Sequence, residues 1–280
     1  MTASDGVRDF EDPRRALARH GLSPKRSFSQ NFLIARSVVE AIAEASAPAT
    51  GLHVIELGPG VGTLTAALLR RGARVTAVER DRDMIAVLRA DFQDQDLTIV
   101  EGDAAKVDLG ALAGSDRATV VGNLPYAVTG AILRNVIAHR THVSRAVVMV
   151  QKEVRDRLLA GPGSKTYGIL SVFVQAAFEL RPLLRVPAGC FHPPPKIESA
   201  VALLLPREVP RAEETPSFVR VVHAGFGTRR KTLRNALALE LGRDLTAVLL
   251  AGTGIDGSRR AETLSIEELA ALAAALDTAA

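Results

Sequence analysis

The segment Val120–Tyr126 places an amide, a proline and an aromatic ring directly after an apolar run that is typical of a β-strand. A planar exocyclic amine, such as that of adenine, is a poor nucleophile because its lone pair is delocalised into the ring. The side-chain oxygen of Asn123 and the main-chain oxygen of Leu124 could accept its hydrogens and favour the pyramidal geometry that frees the lone pair. Pro125 would stiffen the loop, and Tyr126 would offer a ring face for stacking a base. The simpler alternative is that Asn123 and Pro125 only form a tight turn.

A glycine-rich turn between a strand pattern and a helix pattern predicts a second part of the same site. Gly58, Gly60 and Gly62 lack side chains, so a ligand could lie against the turn at the N-terminus of the helix. Glu79 ends the next strand, where a carboxylate in a Rossmann-like domain can accept hydrogen bonds from both hydroxyls of a ribose. Asp103, after the third strand, could accept from an adenine amine or could simply be a turn or cap residue.

These acidic residues fit either NAD or S-adenosylmethionine as a nucleoside cofactor. The spacing of the turn favours the second, because dinucleotide enzymes use G-x-G-x-x-G whereas this turn has G-x-G-x-G after a glutamate.

Alternating strand and helix patterns predict the elements that must position these residues. The strand candidates are His53–Leu57, Arg74–Glu79, Leu97–Glu101, Ala118–Asn123 and Arg145–Val150, with Leu180–Val186 and Ala200–Leu205 as two further ones. Helical spacing covers Thr63–Arg71, Asp81–Asp91 and Thr129–His139. Repeated βα units predict an α/β fold with a mostly parallel, doubly wound sheet.

Proline and charge content predict the domain boundaries. Residues 1–24 form an arm with one short helix near Arg14–His20, and residues 25–207 form the α/β domain. A charged, proline-containing linker near 207–215 leads to a small all-α domain at 215–280. The S-x-x-E pattern predicts helix capping boxes at Ser37 with Glu40 and at Ser265 with Glu268.

The composition argues against several classes of protein, including disordered, disulfide-containing and membrane-spanning ones. The chain has 280 residues, of which 47% are hydrophobic and 24% charged, which argues against a disordered chain. Cys190 is the only cysteine, so no internal disulfide and no metal site are expected. No segment has the length of a membrane span and no secretory signal is evident, so we expect a cytoplasmic protein, and a monomer.

Basic residues are clustered although the formal net charge is only +4. The strongest cluster is Arg229, Arg230, Lys231 and Arg234, which could face phosphates or could form a solvated helix face.

Seven segments, in chain order, resemble motifs of the ribosomal RNA adenine dimethyltransferase family. They are Ser29–Leu33, Glu56–Thr65, Val78–Asp81, Gly102–Ala104, Gly122–Tyr126, Phe191–Ser199 and Phe226–Asn235. Within the family the chain is most similar to the KsgA-type branch that acts on the small ribosomal subunit.

The resemblance implies a Rossmann-like class I methyltransferase domain and a helical domain that binds ribosomal RNA. The implied reaction transfers methyl groups from S-adenosylmethionine to the exocyclic amines of two adjacent adenosines near the 3′ end of 16S rRNA. The implied cofactor contacts are Gln30, Asn31, Leu33, Gly58, Gly60, Glu79, Asp103 and Asn123. Asn123, Leu124 and Pro125 would form the catalytic loop, Tyr126 and Phe191 would sandwich a flipped-out base, and Arg229, Arg230, Lys231 and Arg234 would contact rRNA phosphates.

Three alternatives stay open at this point. An erythromycin-resistance methyltransferase would modify one adenosine of 23S rRNA. A non-catalytic RNA-binding relative would keep the fold, although the intact Asn123–Tyr126 segment speaks against it. An NAD-dependent oxidoreductase disagrees with the spacing of the glycine turn.

Overall fold

The computed structural model describes residues 9–25 and 30–279, and these residues form two compact units. Ser29, the first residue of the N-terminal motif, lies outside the described residues. The first unit holds the chain up to Arg155 together with Leu180–Pro206, and the second holds Asp156–Glu179 and the chain from Arg207 onwards. The sequence analysis assigned residues 156–179 to the α/β domain. They group instead with the C-terminal helices, where Phe173 packs edge-on against Phe218 at 5.9 Å between ring centroids.

A seven-stranded sheet organises the described part of the first unit. In chain order the strands of the protein are β1 (Phe32–Leu33), β2 (His53–Leu57), β3 (Arg74–Glu79), β4 (Leu97–Glu101), β5 (Ala118–Asn123), β6 (Val143–Gln151), β7 (Phe178–Val186), β8 (Phe191–His192) and β9 (Ser199–Pro206). The sheet order is β4-β3-β2-β5-β6-β9-β7, and neighbours from β4 to β6 are parallel. β9 runs antiparallel to β6. The predicted doubly wound, mostly parallel sheet is confirmed.

Helices cover the faces of this sheet and build the second unit. They are α1 (Pro13–Arg19), α2 (Arg36–Ser46), α3 (Thr63–Arg70), α4 (Arg82–Asp91), α5 (Leu109–Ala113), α6 (Thr129–Ala138), α7 (Lys152–Leu159), α8 (Ile169–Ala177), α9 (Pro216–Gly227), α10 (Leu233–Leu241), α11 (Arg243–Thr253) and α12 (Ile266–Ala279). Strand β5 is buried from Ala118 to Gly122, as expected for a central parallel strand with helices on both faces. None of the helices in the described ranges is long and apolar enough to cross a membrane.

The predicted capping box at Ser37 is wrong. Helix α2 begins at Arg36 after Ala35, which makes no side-chain cap, so Ser37 lies inside the first turn. Glu40, the other half of the predicted box, instead accepts a hydrogen bond of 2.6 Å from Arg70 on α3. Because the helix begins one residue before Ser37, this serine is not at the N-cap position.

The N-terminal arm contains the short helix that its sequence predicts, α1. The buried face of α1 belongs to a small apolar cluster formed by Ala16, Leu17, Phe32, Val61, Met84 and Val87. At its end, Arg19 forms an ion pair of 2.5 Å with Asp91 on α4. The arm is thus packed against α4 and against Phe32.

Strand β1 forms a two-stranded antiparallel ladder with β8, separate from the main sheet. Phe32 lies opposite His192 and Leu33 opposite Phe191. The amide of Ile34 continues the ladder with a 2.8 Å hydrogen bond to the carbonyl oxygen of Cys190. This ladder connects the N-terminal motif to the Phe191–Ser199 motif.

The second unit is helical, as the sequence predicts. Its last helix, α12, begins with the predicted capping box, which is confirmed. The amide of Glu268 donates to the hydroxyl of Ser265 at 3.1 Å, and the amide of Ser265 donates to the carboxylate of Glu268 at 2.8 Å. The turn that carries Arg229–Lys231 joins α9 to α10.

Candidate active site

The glycine-rich turn leads from β2 into α3. The amide of Gly58 donates to the carbonyl oxygen of Val78 at 2.9 Å, which ties the turn to β3. Gly62 has φ +83° and is the N-cap of α3, and no described side chain caps the first turn of that helix. A Cβ at Gly60 would lie 2.9 Å from the ring of Phe32, so the close approach of this ring requires glycine there.

Glu79 lies at the carboxyl end of β3 and is 9% exposed. Its Oε2 accepts a hydrogen bond of 3.1 Å from the amide of Gly60. Its Oε1 accepts from the amides of Arg80 and Asp81 at 2.7 and 2.8 Å. A carboxylate has about four acceptor positions, so this one is held in place by the backbone and retains capacity for one further donor.

Asp103 follows β4 and is half-buried. Its Oδ1 accepts a 2.9 Å hydrogen bond from the amide of Ala105, which fixes the turn after the strand. Arg80 Nη1 lies 3.9 Å from Oδ2 of the same carboxylate. The cap role and a ligand-accepting role can therefore coexist on the two oxygens of Asp103.

Asn123 is the last residue of β5, and its side-chain Nδ2 donates a 3.0 Å hydrogen bond to the main-chain oxygen of Asn31. A carbonyl oxygen only accepts hydrogen bonds, so the amino group of Asn123 must be the part that faces it. The Oδ1 atom of Asn123 is thereby left on the other side of the amide. The neighbouring Leu124 is held by a 3.0 Å hydrogen bond from its amide to Met149 on β6.

Pro125 and Tyr126 form the turn that follows β5. The carbonyl oxygen of Pro125 accepts from the amide of Val128 at 3.1 Å and from the hydroxyl of Thr129 at 3.0 Å. The hydroxyl of Tyr126 lies 2.8 Å from the hydroxyl of Ser199. The backbone of the turn and the hydroxyl end of the tyrosine side chain are therefore both held.

These elements surround a cavity of about 250 Å³. It brings together eleven of the residues singled out from the sequence: Gln30, Asn31, Leu33, Gly58, Gly60, Glu79, Asp103, Asn123, Leu124, Pro125 and Tyr126. The carboxyl ends of β2, β3, β4 and β5 all border this cavity, as expected for ligand sites in open parallel sheets.

Phe191 is the one predicted base-stacking residue that does not line the cavity, and its predicted role is corrected here. Its ring is 2% exposed and belongs to the core with Val39, Val186 and Val201. The pairing of β8 with β1 explains this position, because Phe191 lies opposite the equally buried Leu33. No face of this ring is open to a base.

Glu56 lines the cavity and was not singled out from the sequence. It is 2% exposed and accepts a 2.6 Å hydrogen bond from the hydroxyl of Thr65. Burial raises the pKa of Glu56 to about 7, against the lowering effect of Thr65 and with a further raising effect of Glu79. The sequence signal that could have identified Glu56 is an acidic residue between the apolar residues Ile55 and Leu57 of a strand.

The predicted RNA-contacting residues lie in the second unit, and all four are exposed. Arg229 differs from the others, because its Nη2 donates to the carbonyl oxygens of Lys165 and Tyr167 at 2.8 and 3.0 Å. It also pairs with Glu262 at 3.2 Å. Its guanidinium group therefore holds the 165–167 segment in place.

Residues 21–278 match the protein family described as ribosomal RNA adenine dimethylase. This chain belongs to that family. The enzymes of the family use S-adenosylmethionine as the methyl donor. The chain is 47% identical over 272 residues to ribosomal RNA small subunit methyltransferase A of Myxococcus xanthus, covering 95% of this chain and 96% of that one. The protein of the same name from Anaeromyxobacter dehalogenans is 48% identical over 281 residues, covering 95% and 98%.

Two solved structures support the class I methyltransferase fold. A dimethyladenosine transferase from Plasmodium falciparum has a TM-score of 0.75 at 23% identity, covering 88% of this chain and 98% of that one. The 23S rRNA methyltransferase ErmE has a TM-score of 0.64 at 26% identity, covering 88% and 100%.

The residues of the cavity fit the methyl donor of the family. A Cβ at Gly58 would meet no described atom within 4 Å, so the turn leaves open space where a nucleoside can lie. Among the residues that line the cavity, Glu79 offers its remaining acceptor position to a ribose hydroxyl, and Asp103 offers Oδ2 to an adenine amine. The buried carboxyl of Glu56 also lines the cavity, and a negative charge on it would suit a cationic donor.

Proposed function

We propose that this chain transfers methyl groups from S-adenosylmethionine to the exocyclic amines of two adjacent adenosines near the 3′ end of 16S rRNA, giving dimethyladenosines. The observation that carries the proposal is the Asn123–Tyr126 loop at the end of β5, on the rim of the cavity that Glu79 and Asp103 also line. The names of the relatives at 47% and 48% identity support the small subunit as the substrate.

The main task of the chain in this reaction is to align the amine. Asn123 Oδ1 and the main-chain oxygen of Leu124 accept the hydrogens of the target amine and thereby localise its lone pair. The bound cofactor supplies a methyl group activated by its sulfonium centre. Held by these two acceptors, the amine nitrogen would take the methyl group as the carbon–sulfur bond of the donor breaks, and the amine would then lose a proton to water. Alignment of this kind supplies about 7–11 kcal/mol in favourable cases.

The target adenine must leave its helical stack before its amine reaches the cavity. Tyr126 lines the cavity and is held by Ser199, so its ring offers one fixed face for the flipped base. Because Phe191 is a core residue, we assign base stacking in this chain to Tyr126.

The basic residues of the second unit are the candidates for contacts to the RNA backbone. Arg230, Lys231 and Arg234 are exposed on and beside the turn between α9 and α10, and we propose that they bind rRNA phosphates. We further propose that the protein acts as a monomer in the cytoplasm, on the small subunit or its precursor.

Methyl transfer from labelled S-adenosylmethionine tests the proposal directly. The substrates are small subunits that lack adenosine dimethylation and, in parallel, large-subunit rRNA, and the products are identified by nucleoside analysis. Dimethyladenosine in the small subunit alone supports the proposal. Label in 23S rRNA would contradict the proposal and indicate a 23S rRNA methyltransferase, the activity for which ErmE is named. Absence of label in both substrates, although the cofactor binds, would overturn the catalytic proposal.

A further inference from the structure

Asp81, the N-cap of α4, has a buried carboxylate that holds the N-terminal motif. The residue is 2% exposed. Its Oδ1 accepts from Lys25 Nζ at 2.6 Å and from the amide of Asp83 at 3.1 Å. Its Oδ2 accepts from Gln30 Nε2 at 2.8 Å. One carboxylate thus caps a helix and binds two side chains from more than 50 residues earlier in the chain.

Gln30 completes this anchor through the other end of its amide. Its Oε1 accepts a 2.8 Å hydrogen bond from the main-chain amide of Lys25, so the side chain is engaged at both ends. Lys25 also pairs with Asp83 at 2.6 Å, and its two carboxylate partners, Asp81 first, raise the pKa of Lys25. One polar position at each end of the Gln30 amide is therefore used to fix the backbone.

The residue after Gln30 controls the orientation of the Asn123 amide. The main-chain oxygen of Asn31 accepts from Asn123 Nδ2, and this contact determines which way Oδ1 points. Because the carbonyl belongs to Asn31, its position depends on how firmly Gln30 is held. The path runs from Asp81 through Gln30 and Asn31 to the amide of Asn123.

We infer that Asp81 is a positioning residue for methyl transfer, acting through Gln30 and the Asn31 carbonyl to keep Asn123 Oδ1 aimed at the target amine. The inference rests on the proposed function, since it concerns the acceptor which that function needs. It assigns Gln30 to the support of the catalytic loop, and the same anchor keeps residues 30–33 along the wall of the cavity.

Asp81→Ser is the decisive variant, because serine also caps helices well but cannot hold both Lys25 and Gln30. We expect the melting temperature to fall modestly, because the bonds to Lys25 and Gln30 are lost while the cap is kept, and the protein to stay folded at the assay temperature. At saturating S-adenosylmethionine we expect kcat to fall at least tenfold, since a small misplacement of a reacting group has a large effect on rate. Hydrogen exchange of the Ile34 amide, which bonds to Cys190, should accelerate as residues 30–34 loosen.

Two further variants separate anchoring from capping. Gln30→Ala leaves the cap of α4 intact and should reproduce the fall in kcat, and the double variant Asp81→Ser/Gln30→Ala should be no worse than either single one. Asp83→Asn is the matched control. It removes the second, 46% exposed carboxylate from Lys25 without touching Gln30, so kcat should stay at the wild-type value.

Wild-type kcat in Asp81→Ser, or additive effects in the double variant, would overturn the inference. A loss of stability without a loss of kcat would also overturn it, because Asp81 would then act only as a cap. Failure of the proposed function is distinguishable, since the wild-type protein itself would then methylate neither adenosine.

Discussion

The hydroxyl of Tyr126 lies 2.8 Å from the hydroxyl of Ser199, the first residue of β9, so the end of the Phe191–Ser199 motif fixes the ring that follows Asn123. This relationship separates two contributions of Tyr126. The ring can stack a base, whereas the hydroxyl only holds the ring in place.

Tyr126→Phe keeps the ring and removes the hydrogen bond to Ser199. We expect kcat/KM for the RNA substrate to fall by about threefold at most, because the stacking ring is kept. The lost hydrogen bond contributes about 0.5–1.5 kcal/mol to the stability of the fold and not to the stacking of the base. Tyr126→Ala should lower kcat/KM about 10- to 100-fold, as stacking of one base contributes about 1–3 kcal/mol. Steady-state methyl transfer with the RNA concentration varied measures both. Equal defects in the two variants would contradict the stacking role.

Asn123→Ala removes the side-chain acceptor from the rim of the cavity. We expect single-turnover methyl transfer to slow about 100-fold or more, because a group that acts only in the transition state is lost. Asn135→Ala is the control, since that buried asparagine donates instead to the carbonyl oxygens of Ala104 and Val107. At saturating S-adenosylmethionine it should lower stability and leave the rate unchanged. A wild-type rate in Asn123→Ala would exclude the proposed mechanism.

Glu56→Gln should change how stability depends on pH. The pKa of Glu56 is about 7 in the folded state, above its ordinary value of 4.5. Between these two pH values only the unfolded chain releases the proton, so the free energy of unfolding of the wild type falls as pH rises. Above pH 7 this ionisation lowers the free energy of unfolding by about 3 kcal/mol relative to pH values below 4.5. Glutamine can still accept from Thr65 and carries no charge.

The variant should therefore be more stable than wild type at pH 8, and the difference should shrink towards pH 5. Urea denaturation of both proteins at the two pH values measures this. A difference in the free energy of unfolding that does not change with pH would show that Glu56 titrates as an ordinary carboxyl.

Gly62→Ala tests the packing of the glycine turn. A Cβ there would overlap the ring of Phe92, and the backbone lies at φ +83°. We expect a loss of about 3 kcal/mol or more, combining left-handed strain with overpacking. Gly254→Ala has a similar left-handed backbone, with φ +68°, but no described atom within 4 Å, so it should lose only about 1–2 kcal/mol. Chemical denaturation compares the two, and equal losses would mean that contact with Phe92 contributes nothing.

The strand bounds around the site could be predicted closely from the sequence. His53–Leu57, Arg74–Glu79, Leu97–Glu101 and Ala118–Asn123 are the observed strands. In each case an apolar run is followed by glycine or a polar residue, so the local signal and the buried parallel sheet agree. The sequence alone therefore predicts that the residues following these strands lie at one cavity.

Features that depend on distant partners could not be predicted in this way. Ser37 and Ser265 carry the same S-x-x-E signal, yet only Ser265 caps a helix, because α12 begins directly after Ser265 whereas α2 already begins at Arg36, before Ser37. Phe191 was misplaced for a related reason. Its burial is set by the pairing of two two-residue strands that are far apart in the chain.

Asp81 escaped the sequence analysis because its pattern is that of an ordinary helix cap. Only the structure brings Lys25 and Gln30 onto the same carboxylate.

The hydrogen bonds of Arg229 to Lys165 and Tyr167 affect how an RNA footprint can be mapped on this protein. An experimenter who replaces the arginines of the basic run one at a time would see affinity fall at Arg229 and would count it as a phosphate contact. Part of that fall would come from release of the 165–167 segment. The slope of affinity against salt concentration distinguishes the two causes, because a lost phosphate contact lowers it by about one and a loosened segment does not.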